Sequence, residues 1–360
     1  MDDQMIKVWD GRRARVAILG AGAFGKALAQ CIAVGGCEVT LLGRSSDLAN
    51  SSDSGDSSQV ATKQTVEQSS RLSLVSMESY AENLRTFDLV ILAVPCQALR
   101  DVAAWVSDHA APLTSGPHTG ARLRILSAAK GIERGSLKLP SDLLTSLLPA
   151  DSCIGTLSGP SFAKELSAGL PTAVVIATGS DALAERAELL LHRSFFRVYR
   201  SRDVVGTEVG GALKNVIAMV AGAVDGLRLG NNARAAVVTR GLQEIAQVGV
   251  ALGANPLTFL GLAGLGDLIL TCTGDLSRNR QFGLRCAGGE QPGAIEASMG
   301  GVVEGVATAQ SAHELSRSLG LDTPILDAAH AVIYEGLPIR EAVTALLTRS
   351  HKGEFDWMPR

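Results

Sequence analysis

The chain has 360 residues, 46% hydrophobic and 19% charged, with 39 glycines and a formal net charge of −3. That length accommodates two domains with separate cores, and the composition is that of an ordinary globular protein, neither fibrous nor disordered. No basic excess exists to neutralise phosphates along a groove and no run of 18 apolar residues occurs, so neither nucleic-acid binding nor a membrane span is expected.

Residues 1–14 hold no apolar signal core and are acidic where a transit peptide is not, so they read as an N-terminal extension. Then RVAILG, a β-branched apolar run, leads straight into Gly20-Ala21-Gly22-Ala23-Phe24-Gly25, the helix-prone KALAQCIAVGG and a second strand, CEVTLLG. In a strand–turn–helix–strand setting, GxGxxG has a mechanical reading. Gly20 permits the tight turn, Gly22 lets a pyrophosphate approach the backbone, and Gly25 lets helix and strand pack closely. The helix N-terminus adds free N–H groups and a positive dipole end. An NAD-only site would place an acid at the end of the second strand; Arg44 stands there instead, so NADP is expected to be tolerated alongside NAD.

From 45 to 79 the composition turns Ser-rich and is expected to form a surface loop without a core. A continuous apolar strand over 88–94 follows, stopped by Pro95, and then an amphipathic helix through Leu99, Val102 and Val106. RLRILSAAKGIERG reads as a strand over 123–127 with Lys130 at its carboxyl end, where ligands bind in open α/β sheets. CIGTLSGPSFAKELSAG repeats that logic: a strand, then Gly159-Pro160-Ser161, then a helix from Phe162 that offers N–H groups to an anion. PTAVVIA and FFRVYRS are expected as the last strands, with a helix over 181–192 between them.

Beyond Ser201 the periodicity is helical, with candidate helices over 205–226, 233–252, 256–261, 266–271, 280–288, 307–319, 328–335 and 339–347. The fold class is therefore α/β. A Rossmann-type, doubly wound, mostly parallel sheet over 15–200 precedes an all-helical domain over 201–350 and a tail over 351–360. The crevice between the two halves is the expected site. In GTEVGGALKNVIAMV, Lys214 stands at the head of an apolar run, with Gly210 and Gly211 on roughly its face. Alone, such a lysine reads as snorkelling off a core helix; in a cleft, the glycines would give substrate and nicotinamide clearance to the amine. Cysteines at 31, 37, 96, 153, 272 and 286 show no CxxC pair, and the six histidines are dispersed, so reduced thiols, a cytoplasmic location and no metal site are expected.

The blocks GAGAFG, LAVPCQALR, SAAKGIE, LSGPSFAKE, GTEVGGALKNVIAMVAG, NARAAVVTRGLQE, FLGLAGLGDLILTCT, LSRNRQFG and VVEGVATA occur in this order. Over Arg15 to about Leu347, with one gap, the chain closely resembles NAD(P)-dependent glycerol-3-phosphate dehydrogenase of the soluble type. The resemblance implies reversible conversion of sn-glycerol 3-phosphate to dihydroxyacetone phosphate, a homodimer, and NAD or NADP as cofactor. It implies Lys214 as proton acceptor, with Lys130, Asp267 and Asn215 as further catalytic positions. Substrate contacts would be Lys130, Gly159, Ser161, Lys214, Asp267, Ser277, Arg278 and Asn279. Cofactor contacts would be Ala23, Phe24, Arg44, Lys130, Ala163, Arg278, Val302 and Glu304, beside the glycine turn. Physically, Ser277-Arg278-Asn279 offers a charged fork and side-chain donors to a phosphate dianion, although alone it reads as a helix cap followed by a surface arginine. Asp267 could orient the lysine amine or merely cap the helix it opens. The Ser-rich stretch stands where family members commonly carry a short motif close to Tyr-Leu-Pro-Gly, and Ala23 and Phe24 replace the more usual serine and tryptophan. Alternative readings are a related two-domain β-hydroxyacid or 6-phosphogluconate-type dehydrogenase, or a non-catalytic NAD(P)-binding regulator.

Overall fold

Among the described residues, eight strands form one sheet in the order β3-β2-β1-β4-β5-β6-β7-β8. They are β1 (Arg15–Leu19), β2 (Glu38–Gly43), β3 (Leu72–Ser76), β4 (Leu89–Leu92), β5 (Arg124–Ser127), β6 (Cys153–Ser158), β7 (Thr172–Ala177) and β8 (Phe196–Ser201). Every neighbouring pair is parallel except β6 with β7. The central strands RVAIL and LVIL are nearly continuous aliphatic runs because helices cover both of their faces. The computed structural model describes residues 13–46, 71–116 and 118–348. Nearly all the expected N-terminal extension, the centre of the Ser-rich stretch and the expected tail lie outside them.

The helices that accompany the sheet among the described residues are α1 (Ala23–Val34), α2 (Leu99–Asp108), α3 (Pro140–Leu147), α4 (Ala163–Ser167) and α5 (Asp181–Leu191). Ala27, Leu28 and Ile32 of α1 share one core with Leu166 of α4 and Leu183 and Leu190 of α5. On the other face, Leu99, Ala103 and Val106 of α2 pack with Leu143 and Leu144 of α3. One expectation is corrected here. Residues 72–76 of the Ser-rich stretch are an edge strand, registered from Val39 opposite Leu72 to Gly43 opposite Ser76, and a 3-10 turn follows at Met77–Ser79. An edge strand needs little core, so serine-rich composition does not forbid one. The short helix α3, absent from the elements expected above, opens with Pro140 at the first helical position and buries Leu143 and Leu144.

The remaining helices are α6 (Val204–Gly226), α7 (Asn231–Ala251), α8 (Asp267–Thr273), α9 (Arg278–Ala287), α10 (Pro292–Ser298), α11 (Glu304–Ser318), α12 (Pro324–Tyr334) and α13 (Ile339–Leu347). A 3-10 segment over Pro256–Leu260 and a π-helical turn over Leu262–Gly266 precede α8. By length and apolarity α6 could cross a membrane, but 83% of its most apolar 18-residue window is buried inside the protein. It is the axis of the helical half, in one core with Ile245 of α7, Leu268 of α8, Phe282 of α9 and Ala309 of α11. At the crossing of α6 with α9, a Cβ on Gly222 would overlap Arg280 O and one on Gly283 would overlap Met219 O, so the two backbones touch.

Buried carboxylates join the layers by capping helix starts on other elements. Glu208 of α6 accepts from the Ser141 backbone N–H at 3.0 Å and its hydroxyl at 2.7 Å, at the first turn of α3. Glu244 of α7 accepts from Ile325 N–H at 2.8 Å and Leu326 N–H at 3.0 Å, at the start of α12. Each cap satisfies amides that a helix start leaves without intrahelical partners.

Candidate active site

The sheet reverses its winding between β1 and β4, and the glycine turn follows β1 at that switch point, where open α/β sheets bind ligands. Gly20 has φ +117°, and a Cβ there would overlap Ala93 O at the end of β4. A Cβ on Gly25 would overlap Gly20 O, whereas one on Gly22 would meet nothing within 4 Å. The first and third glycines are thus demanded by packing, and the second leaves the approach to α1 open. Gly22 is the N-cap of α1 and provides no side-chain cap, which leaves the first amides of that helix available to an anion. This cradle fits a dinucleotide pyrophosphate. Phe24 and Ala163 pack against the same core beside it, and Arg44 follows β2 in an exposed position.

Lys214 points from α6 toward the carboxyl ends of β5 and β6. Its Nζ donates to Asp267 Oδ1 at 2.5 Å and to Thr271 Oγ1 at 2.9 Å. Lys130 Nζ, just beyond β5, donates to the other carboxylate oxygen of Asp267 at 2.6 Å and to Gly159 O at 3.2 Å. One carboxylate therefore bridges two ammonium groups. Asp267 does not cap its own helix. The π-helical turn carries the chain into α8 already coiled, Gly266 occupies the cap position, and the carboxylate is turned onto the lysines. Lys214 is 7% exposed and Asp267 1%. Burial pushes the Lys214 ammonium down to about 8, Asp267 opposes that fall, and the charge of Lys130 adds to it. Burial raises the Asp267 carboxyl, but Lys130 and Lys214 together overcome this and hold it below its ordinary value. Ser161 lies in the same loop, its hydroxyl donating to Gly159 O at 3.0 Å.

Ser277-Arg278-Asn279 opens α9. Ser277 is its N-cap, buried, and accepts from Arg280 N–H at 3.2 Å, while Arg278 is exposed, so the simple cap geometry is present. Asn279 Nδ2 donates to Asn215 Oδ1 at 2.9 Å, and its Oδ1 accepts from Gly305 N–H at 2.9 Å. The triplet is thereby tied to the residue after Lys214 and to the start of α11. Arg278 Nη1 lies where a Cβ of Gly301 would be, and its charge reaches Glu304. Glu304 Oε1 accepts from Cys96 N–H at 3.4 Å, just past β4, and its Oε2 is buried without a hydrogen-bond partner. Burial raises the Glu304 carboxyl to about 7. Val302 is exposed on the preceding loop. An unsatisfied buried oxygen at the switch point is what a cofactor donor would complete.

The two glycines on α6 do not open a path to the amine. A Cβ on Gly210 would stand 2.6 Å from Ala263 O, and one on Gly211 would stand 2.8 Å from Ser158 Oγ. The clearance is filled by the protein itself: Gly210 seats the π-helical turn that delivers Asp267, and Gly211 admits the end of β6. Thr271 was absent from the residues singled out by sequence. Its spacing of four from Asp267, which puts both on one face of α8, is the signal that could have found it.

The family model described as NAD-dependent glycerol-3-phosphate dehydrogenase N-terminus matches residues 15–184, and the corresponding C-terminus model matches 203–344. A protein of Nitrosomonas eutropha named glycerol-3-phosphate dehydrogenase [NAD(P)+] is 42% identical over 95% of this chain and 99% of its own length. One of Anaeromyxobacter sp. (strain K), with the same name, is 44% identical over 95% of this chain and 100% of its own. The crystal structure of glycerol-3-phosphate dehydrogenase from Coxiella burnetii superposes with a TM-score of 0.82 at 32% identity, covering 93% of this chain and 99% of that one. D-mandelate dehydrogenase with NADH, at 15% identity and a TM-score of 0.54, shares the fold alone. The chain belongs to the NAD-dependent glycerol-3-phosphate dehydrogenase family and is an NAD(P)-dependent oxidoreductase acting on a CH–OH group.

Proposed function

We propose that the Lys214–Asp267–Lys130 cluster is the proton-transfer centre for interconversion of sn-glycerol 3-phosphate and dihydroxyacetone phosphate. The observation that carries this is the bridging carboxylate, which fixes two lysines where the sheet's carboxyl ends meet the helical half. A nicotinamide, when bound, would supply or accept the hydride at carbon 2. When that carbon loses its hydrogen with the electron pair, the 2-hydroxyl proton must leave, and neutral Lys214 Nζ receives it as the carbonyl forms. In the reductive direction the Lys214 ammonium returns the proton to the carbonyl oxygen. Asp267 and Thr271 orient the amine by hydrogen bonds, and Lys130 places a second cation against the reacting oxygen. Asn215, the residue after Lys214, is held in place by Asn279.

The substrate phosphate is assigned to the start of α9, which offers helix amides, the Ser277 hydroxyl and the exposed Arg278 guanidinium. Gly159 and Ser161, in the loop that holds Lys130, would line the same mouth. The glycine turn with α1 would hold the pyrophosphate, and Ala23, Phe24, Arg44, Ala163, Arg278, Val302 and Glu304 would surround the remainder of the cofactor. The reading extends to a cytoplasmic homodimer, supported by the family resemblance and by six free cysteines, five of them buried. Oxidation of NADH or NADPH with dihydroxyacetone phosphate, in wild type and Lys214→Ala, tests the central claim. The variant is expected to lose at least about a thousandfold in turnover while still binding cofactor. Near-normal turnover would remove Lys214 from the mechanism. Cofactor binding by the wild type with no turnover on any polyol phosphate would favour a regulator.

A further inference from the structure

In this architecture the ribose 2′-oxygen of the adenosine half is read at the carboxyl end of β2, by an acid for NAD or a cation for NADP. Gly43 here is followed by Arg44, Ser45 and Ser46, none of them an acid, and Asp47 beyond them lies outside the described residues. The neighbouring strand supplies one. Gly43 lies opposite Ser76 at the end of β3, and the chain then turns at once through Met77–Ser79, which carries Glu78. The Glu78 carboxylate faces back across the strand ends. Its Oε2 accepts from Ser45 N–H at 3.2 Å, from Ser45 Oγ at 3.1 Å and from the Ser76 hydroxyl. A backbone amide and two hydroxyls beside an arginine are the donors that would grip a 2′-phosphate. An internal carboxylate already fills them. The Ser76 hydroxyl above all, with the Glu78 and Ser45 donors, holds that carboxyl down to about 2, so it stays charged throughout the working range.

We infer that Glu78 is the specificity-determining residue for the cofactor, occupying the 2′-phosphate position and selecting NADH over NADPH. A ribose 2′-hydroxyl can donate to the carboxylate, whereas a 2′-phosphate must displace it and meets like charge. This reverses the expectation drawn from Arg44 alone. It rests on the dinucleotide reading of the glycine turn and sharpens it.

The test is binding rather than turnover. Affinities for NADH and NADPH are measured by fluorescence titration, and those for AMP and adenosine 2′,5′-bisphosphate by calorimetry, in wild type, Glu78→Gln and Glu78→Ala. Wild type is expected to favour the 2′-hydroxyl ligand of each pair by about tenfold or more, and both variants to shift that ratio about tenfold toward the 2′-phosphate. Glu78 is exposed, so the variants should melt with the wild type. Equal or tighter binding of the 2′-phosphorylated ligands by wild type overturns the inference, as does a ratio unchanged within twofold in both variants. Failure of the wild type to bind either dinucleotide would instead sink the cofactor reading itself, and this inference with it.

Discussion

Asp267→Asn keeps the side-chain shape and removes the charge that Lys130 and Lys214 share. In the wild type the Lys214 ammonium titrates at about 8, because burial and Lys130 lower it while Asp267 holds it up. Neutral amine is the base for oxidation, so that rate should rise through pH 8 and level off above; reduction needs the ammonium and should fall over the same range. Asp267 approaches at 2.5 Å, and a hydrogen bond to a charged group is worth about 1.5–3 kcal/mol. At about 1.4 kcal/mol per unit, its loss should move both limbs down by roughly one to two pH units. The buried Lys214 ammonium and the partly buried Lys130 would also be left without their counter-charge, which should cost folding roughly 3–5 kcal/mol. The assay is kcat/KM against pH for glycerol 3-phosphate oxidation and dihydroxyacetone phosphate reduction, with urea unfolding alongside. Ionisation of the substrate phosphate is common to both proteins and cancels in the comparison. Limbs that stay in place or move upward would refute the claim that Asp267 tunes Lys214.

Other positions separate binding, catalysis and folding. Arg278→Ala should raise KM for glycerol 3-phosphate by roughly 10- to 100-fold with little change in melting temperature, since the side chain is exposed; an unchanged KM would remove it from the phosphate site. Gly210→Leu drives a side chain into Ala263 O and should destabilise the fold by at least about 1–3 kcal/mol. A variant that melts like the wild type would restore the idea that Gly210 faces open space. Glu208→Ala uncaps α3 and leaves the Ser141 amide and hydroxyl without their acceptor, at a cost of about 1–3 kcal/mol in chemical denaturation. No loss of stability there would show that water replaces the cap.

The glycine turn, the apolar strands and the long α6 were legible because local sequence dictates them: positive φ at Gly20, aliphatic runs for buried strands, a helical run for a buried helix. Lys214 and Lys130 could be named from position in the chain. That one carboxylate bridges them could not, because Asp267 is 53 residues from one and 137 from the other. Local propensity assigned Asp267 equally to a helix cap, and the π-helical turn decided against it. Glycine spacing on α6 suggested open clearance beside the amine, yet packing filled that space with Ala263 and Ser158. Serine-rich composition hid β3 and, with it, Glu78. Sequence by itself determined the elements and the chemical inventory of this site, since both follow from neighbours a few residues apart. Which charges meet, and which gaps remain open, was decided by contacts between distant segments, and only the tertiary structure carries those.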